Sequence, residues 1–146
     1  LGEAGKAFRL GAKWLPRRRI VRSARSVGAA RRLLEEAAVQ AQSAAAFGQP
    51  AMKRASVRNA LAEMAAGIHA ARLMVYEAAS ASDAAKEIIH QANMVKLQTS
   101  RMLRGVVDMV SHVFNGPSCA GQALEKLCRR ALESDIQELS LEYLHE

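Results

Sequence analysis

Aromatic residues make up only 4% of the 146-residue chain, and long runs of β-branched residues are absent. Ala, Leu, Val and Met dominate instead, so the expected fold class is all-α. No apolar run reaches the roughly 18–20 residues that a membrane crossing needs, and no membrane span is expected. Cysteine is scarce: Cys119 and Cys128 stand nine apart, which fits neither a CxxC redox pair nor a zinc pattern, and both read as reduced thiols. His69, His90, His112 and His145 never fall at i, i+3 or i, i+4 spacing, so a metal site is not expected. GxSxG, the P-loop and GxGxxG are all missing. An initiator methionine is missing too, as expected of a piece of a longer protein. No signal peptide is visible, and a cytoplasmic location is the default expectation.

Charge is present but unevenly placed. The net charge is +7; residues 1–73 hold fourteen Lys and Arg against four Asp and Glu, and residues 74–146 hold seven against ten. A basic first half can meet phosphate groups on nucleic acid, a nucleotide cofactor or coenzyme A. Arg18, Arg22, Arg25 and Arg32 recur at helical spacing, which alone reads as a solvated face. With no aromatic interleaving and no nucleic-acid-binding motif, nucleic acid is not the expected partner.

Punctuation divides the chain into four helices. Residues 1–12 carry three glycines and read as an irregular lead-in from a missing domain, leaving 13–146 as the helical unit. Pro16 suits the first turn of a helix that runs to about Ala46, with Gly48 as a left-handed cap and Pro50 as a stop. A second helix spans about Met52 to Ala79, with Val57, Leu61, Met64 and Ile68 on one face. Ser80 to Asp83 reads as a turn with capping residues. The third helix reaches about Phe114, with Ile88, Met94, Leu97, Met102 and Val106 among its apolar positions. Asn115-Gly116-Pro117 ends it, and the fourth runs from about Cys119 to Leu144. Short connections make neighbouring helices antiparallel, giving an up-down-up-down four-helix bundle. Asp135, Glu138 and Glu142, at i, i+3, i+7, read by periodicity as a solvated face.

Several stretches, taken in order, resemble the C-terminal helical domain of the acyl-CoA dehydrogenase family. "LGEAGKAFRLGAKWLPRRR" is similar to that family's entry into its first bundle helix, and "SVGAARRLLEEA" to the helix itself. "FGQP" falls at its Phe-Gly-Lys-Pro turn, and "LAEMAAGIHAARLMVYEAA" resembles its next helix. Lys96 matches the lysine of its third helix, Asn115-Gly116 its double glycine, and "LEKLCR" the segment before its Arg-Asp-Ala. The register holds from Leu1 to Glu138 with one deletion after Gly116.

The resemblance implies an enzyme that uses FAD to remove two hydrogens from the α and β carbons of an acyl-CoA. A glutamate takes the α proton while the flavin accepts a hydride from Cβ. The base must therefore sit beside the thioester α carbon in a dry pocket, opposite the flavin. Carried across residue by residue, Glu138 falls at the catalytic base, and Arg19 at an arginine that helps position the CoA-bearing substrate. Phe47 and Gly48 match the turn that lies along the FAD of the neighbouring subunit. Gly116 and Ser140 fall at further cofactor-contacting positions. Some relatives place the base on the first bundle helix, where this chain has Arg18. An electron-transfer acceptor and a homodimer or tetramer are implied as well.

The chain also departs from the family. The arginine on the FAD diphosphate is Ala44, and a glutamine contacting FAD is Ala55. Asn115 replaces a glycine, Pro117-Ser118 a Tyr-Gly, Arg130 an aspartate and Leu139-Ser140 a Gly-Thr. Each lost charged hydrogen bond costs ~1.5–3 kcal/mol, so two or three would weaken flavin binding by several orders of magnitude. Two alternatives to a divergent dehydrogenase follow. One is a non-catalytic or half-site subunit that pairs with a competent paralogue in a hetero-oligomer. The other is a flavin-dependent monooxygenase relative.

Overall fold

The computed structural model describes residue 4 and residues 14–43, 45–46, 49–114 and 122–136. These residues form four helices: α1 (Leu15–Ser43), α2 (Ala55–Asp83), α3 (Ile89–Val113) and α4 (Gln122–Ile136). A two-residue antiparallel ladder, β1 (Ala45–Ala46) with β2 (Gln49–Pro50), and a 3-10 turn over Ala51–Lys53 connect α1 to α2. The all-α bundle anticipated from composition is the observed fold, with this short ladder as its only departure among the described residues. The boundary expected at residue 12 falls outside them.

Each helix buries the stripe its sequence lays down. On α1, Ile20, Val27, Ala30, Leu33, Ala37 and Ala41 are buried. Its three fully enclosed alanines, Ala30, Ala37 and Ala41, allow neighbouring backbones to approach closely. On α2, Met64, Ile68, Ala71, Val75 and Ala78 follow one another at alternating steps of four and three, a narrow inward seam. Val57 is buried with them and Leu61 is half-buried, as the expected stripe requires.

α3, like α1, packs against the other three helices, and ten of its residues are buried over nearly half its circumference. Its most extensive contact is with α1, so the core follows the α1–α3 line, with α2 on one side and α4 on the other. Ile88, Met102 and Val106 are buried as expected, and Leu97 is half-buried. Met94, another of the apolar positions, is 55% exposed, on the outer side that also carries Arg101 and Asp108.

Two helix ends differ from the sequence reading. α1 stops at Ser43 rather than Ala46, because Ala45–Ala46 turns to pair with Gln49–Pro50. Pro50 pushes the preceding residue into an extended conformation, which suits Gln49 to the ladder. α2 runs through Ser80–Asp83, where a turn was expected, and ends one turn later. There Lys86 N–H donates to Ala81 C=O and Ala85 N–H to Ser82 C=O, both at 3.1 Å, with Ala85 at φ 55°. This is a Schellman cap whose left-handed position, normally glycine, is filled by alanine. α4 is described as Gln122–Ile136; the rest of the expected Cys119–Leu144 helix lies outside the described residues.

Candidate active site

The basic residues at the start of α1 follow from its pitch. Ile20, Ser23 and Val27 turn inward, which leaves Arg17, Arg18 and Arg25 exposed and Arg19 and Arg22 half-buried. Arg18 lies over the Trp14 ring, its guanidinium carbon 5.5 Å from the ring centroid. Arg19 instead leans across the bundle, and its Nη1 donates to Asn93 Oδ1 near the start of α3. The predicted substrate-positioning arginine is therefore fixed between α1 and α3 by a partner the sequence did not identify.

One turn further along α3, at Lys96, begins the most deeply buried polar cluster among the described residues. Asp135, on the last described turn of α4, has a side chain only 3% exposed. Its Oδ1 accepts from Lys96 Nζ at 2.8 Å and from Ser100 Oγ at 2.7 Å. Its Oδ2 lies 3.9 Å from Arg104 Nε. Lys96 is itself 5% exposed, so the pair is withdrawn from water and each charge depends on the other. This overturns the reading of Asp135 as part of a solvated face with Glu138 and Glu142. The signal was present in a different register: Leu124, Cys128, Ala131 and Asp135 form one buried stripe at i, i+4, i+7, i+11. Burial pushes the Cys128 thiol above its ordinary pKa, because the charged thiolate is poorly solvated there.

Glu138, Phe47, Gly48, Gly116 and Ser140 lie outside the described residues, as do Ala44, Asn115, Pro117, Ser118 and Leu139. Of the departures at the flavin surface, Ala55 is described: it opens α2 and is exposed, a methyl group that can neither donate nor accept. Next to it stand two exposed cations, Lys53 and Arg54. Arg58 Nη1 turns back onto the Lys53 and Met52 carbonyls at 2.6 and 3.3 Å, bracing the turn. The charge of this corner suits an anionic group, to which the Ala55 methyl offers no polar contact. Among the described residues, no cluster of His, Cys, Asp and Glu could hold a metal ion, and no helix is long and apolar enough to cross a membrane.

Comparison with known proteins gives this geometry its context. Residues 7–138 match the model of the acyl-CoA dehydrogenase C-terminal domain. The chain is 30% identical over 116 residues to the mitochondrial short-chain specific acyl-CoA dehydrogenase of Bos taurus, covering 80% of this chain and 28% of that protein. It is also 30% identical over 116 residues to subunit CarC of the caffeyl-CoA reductase-Etf complex of Acetobacterium woodii, covering 80% of this chain and 31% of the subunit. The butyryl-CoA dehydrogenase structure from Megasphaera elsdenii superposes with a TM-score of 0.87 at 28% identity, over 99% of this chain and 38% of that one. The chain thus spans about a third or less of the curated relatives' length. It belongs to the acyl-CoA dehydrogenase family, as its C-terminal helical domain.

Proposed function

We propose that this domain completes the active site of an FAD-dependent acyl-CoA dehydrogenase, with Glu138 as the base that takes the α proton of an acyl-CoA thioester. The observation that carries this reading is the continuous family match over residues 7–138, which ends on Glu138 itself. Arg19 orients the CoA-bearing substrate, its guanidinium held by Asn93 so that less freedom is lost on binding. The Lys53 and Arg54 corner faces the cofactor and offsets part of what Ala44 and Ala55 remove, and Phe47 and Gly48 contribute further cofactor contacts. Gly116 and Ser140 complete the cofactor contacts. FAD, when bound, supplies the hydride acceptor for Cβ. Glu138 must be ionised and shielded from water to act on the weakly acidic α C–H.

Assembly and electron transfer belong to the same proposal. Leu73 and Tyr76, one turn apart on α2, are 54% and 63% exposed, an apolar pair suited to burial against a second subunit in a dimer or tetramer. An electron-transfer acceptor would reoxidise the flavin, in line with the Etf complex to which CarC belongs.

The test is to purify the full-length protein, record its flavin spectrum, and follow bleaching by acyl-CoA without oxygen. Glu138→Gln is expected to keep the flavin and lower the rate about 10²–10⁴-fold. A colourless protein that takes up no added FAD overturns the reading. One observation favours a second reading, a half-site subunit paired with a competent paralogue: Ala55 places an exposed methyl where the family has a flavin contact. Co-expression with a catalytically competent dehydrogenase paralogue separates the two, since a mixed complex is required by the second reading alone.

A further inference from the structure

We propose that Asp135 is a positioning residue: through Lys96 and Ser100 it fixes the register of the end of α4, and hence where the chain departs toward Glu138. The inference rests on Glu138 being the base. Its grounds are the way α4 is attached. α4 lies mainly on α1 and touches α3 sparsely, so its apolar stripe alone gives little to stop it sliding or turning against α3. Asp135 supplies what apolar contact lacks, because hydrogen bonds to a carboxylate are directional. Lys96, Ser100 and Arg104 stand on successive turns of α3, all turned to this one carboxylate. A slip of α4 by one turn, about 5.4 Å, would leave Lys96 buried with no counter-charge.

Glu138 follows three residues later, so its Cα lies within about 11 Å of that of Asp135 whatever the chain does between them. The helix end sets the point from which the chain reaches the base, and misplacement of a base by about 1 Å can cost about 10²-fold in rate. Holding the bundle together does not by itself call for an ion pair here. Well-packed apolar residues of similar volume are commonly as stable. The carboxylate at the fourth place of an otherwise apolar stripe is accounted for by the register it specifies.

The test uses the full-length FAD-loaded enzyme and whichever of short-, medium- and long-chain acyl-CoAs the wild type turns over fastest. The double variant Lys96→Met/Asp135→Leu removes both charges while keeping the length and branching of the two side chains. It is expected to melt near the wild-type temperature and keep KM within about threefold, while kcat falls at least about tenfold. Ser100→Ala, which removes one hydrogen bond to Oδ1, is expected to stay folded with a melting temperature lowered by a few degrees, and to lower kcat by more than about twofold with KM little changed. A folded double variant with kcat within about twofold of wild type overturns the positioning role. If the double variant does not fold, Ser100→Ala decides by the same twofold limit. Glu138→Gln is assayed alongside: full activity there removes the base assignment itself. An inactive Glu138→Gln beside a fully active double variant removes only the role of Asp135.

Discussion

The contact between α1 and α3 differs in kind from the contact between α3 and α4. The first is extensive and, apart from the Arg19–Asn93 bond, mainly apolar, with Leu33, Leu103 and the enclosed alanines among the buried residues of the two helices, and it is set chiefly by shape and volume. The second is short and ends in a buried salt bridge, set by the direction of a few hydrogen bonds. Apolar packing tolerates exchange of one hydrocarbon for another of similar size. An ion pair closed to water tolerates almost none, since either partner alone becomes an uncompensated charge. The scaffold is thus built from the forgiving kind of contact, and the helix leading toward Glu138 is tied by the exacting kind.

The largest effect should come from breaking that tie on one side. Lys96→Met leaves the Asp135 carboxylate without its cation and is expected to cost about 3–5 kcal/mol in urea unfolding of the full-length protein. A cost below about 1 kcal/mol would mean that water or a rearranged Arg104 reaches Asp135. Next comes the apolar contact. Leu103→Ala, at a residue 1% exposed, should cost about 3 kcal/mol, and Leu103→Met under about 1.5. The sharpest contrast is then conservative exchange: Leu103→Met should be tolerated while Lys96→Arg is not.

Outside both contacts, Ala85→Gly should stabilise by about 0.5–1 kcal/mol, since it relieves the left-handed backbone at φ 55°. Unchanged stability there would show that the α2–α3 turn can relax without it. The smallest effect concerns pH. The Cys128 pKa is raised in the folded state, so its contribution is fully present below the ordinary thiol pKa and is lost as pH rises toward the folded value. Cys128→Ala should flatten that alkaline fall in the melting temperature.

The helices and most of their inward faces were legible because periodicity in α1 and α2 reflects a single buried side. α3 was less so. Its apolar positions do not mark one face cleanly: Met94 is among them yet lies exposed with Arg101. The Schellman cap was hidden because alanine gives no hint of a left-handed conformation. Asp135 was misread because an acid every three or four residues resembles a wet face. Its burial depends on Lys96, thirty-nine residues earlier, which no local pattern relates to it. Arg19 was found by resemblance, whereas Asn93, its partner, is a contact between distant segments.

Trp14, the domain's one tryptophan, has an indole half open to water and an arginine over its ring. Its fluorescence is therefore a label-free optical signal from the end of α1 where Arg19 lies. In a setting with no competing tryptophan, covering that end should move the emission to the blue, so that occupancy near Arg19 could be watched in a cuvette.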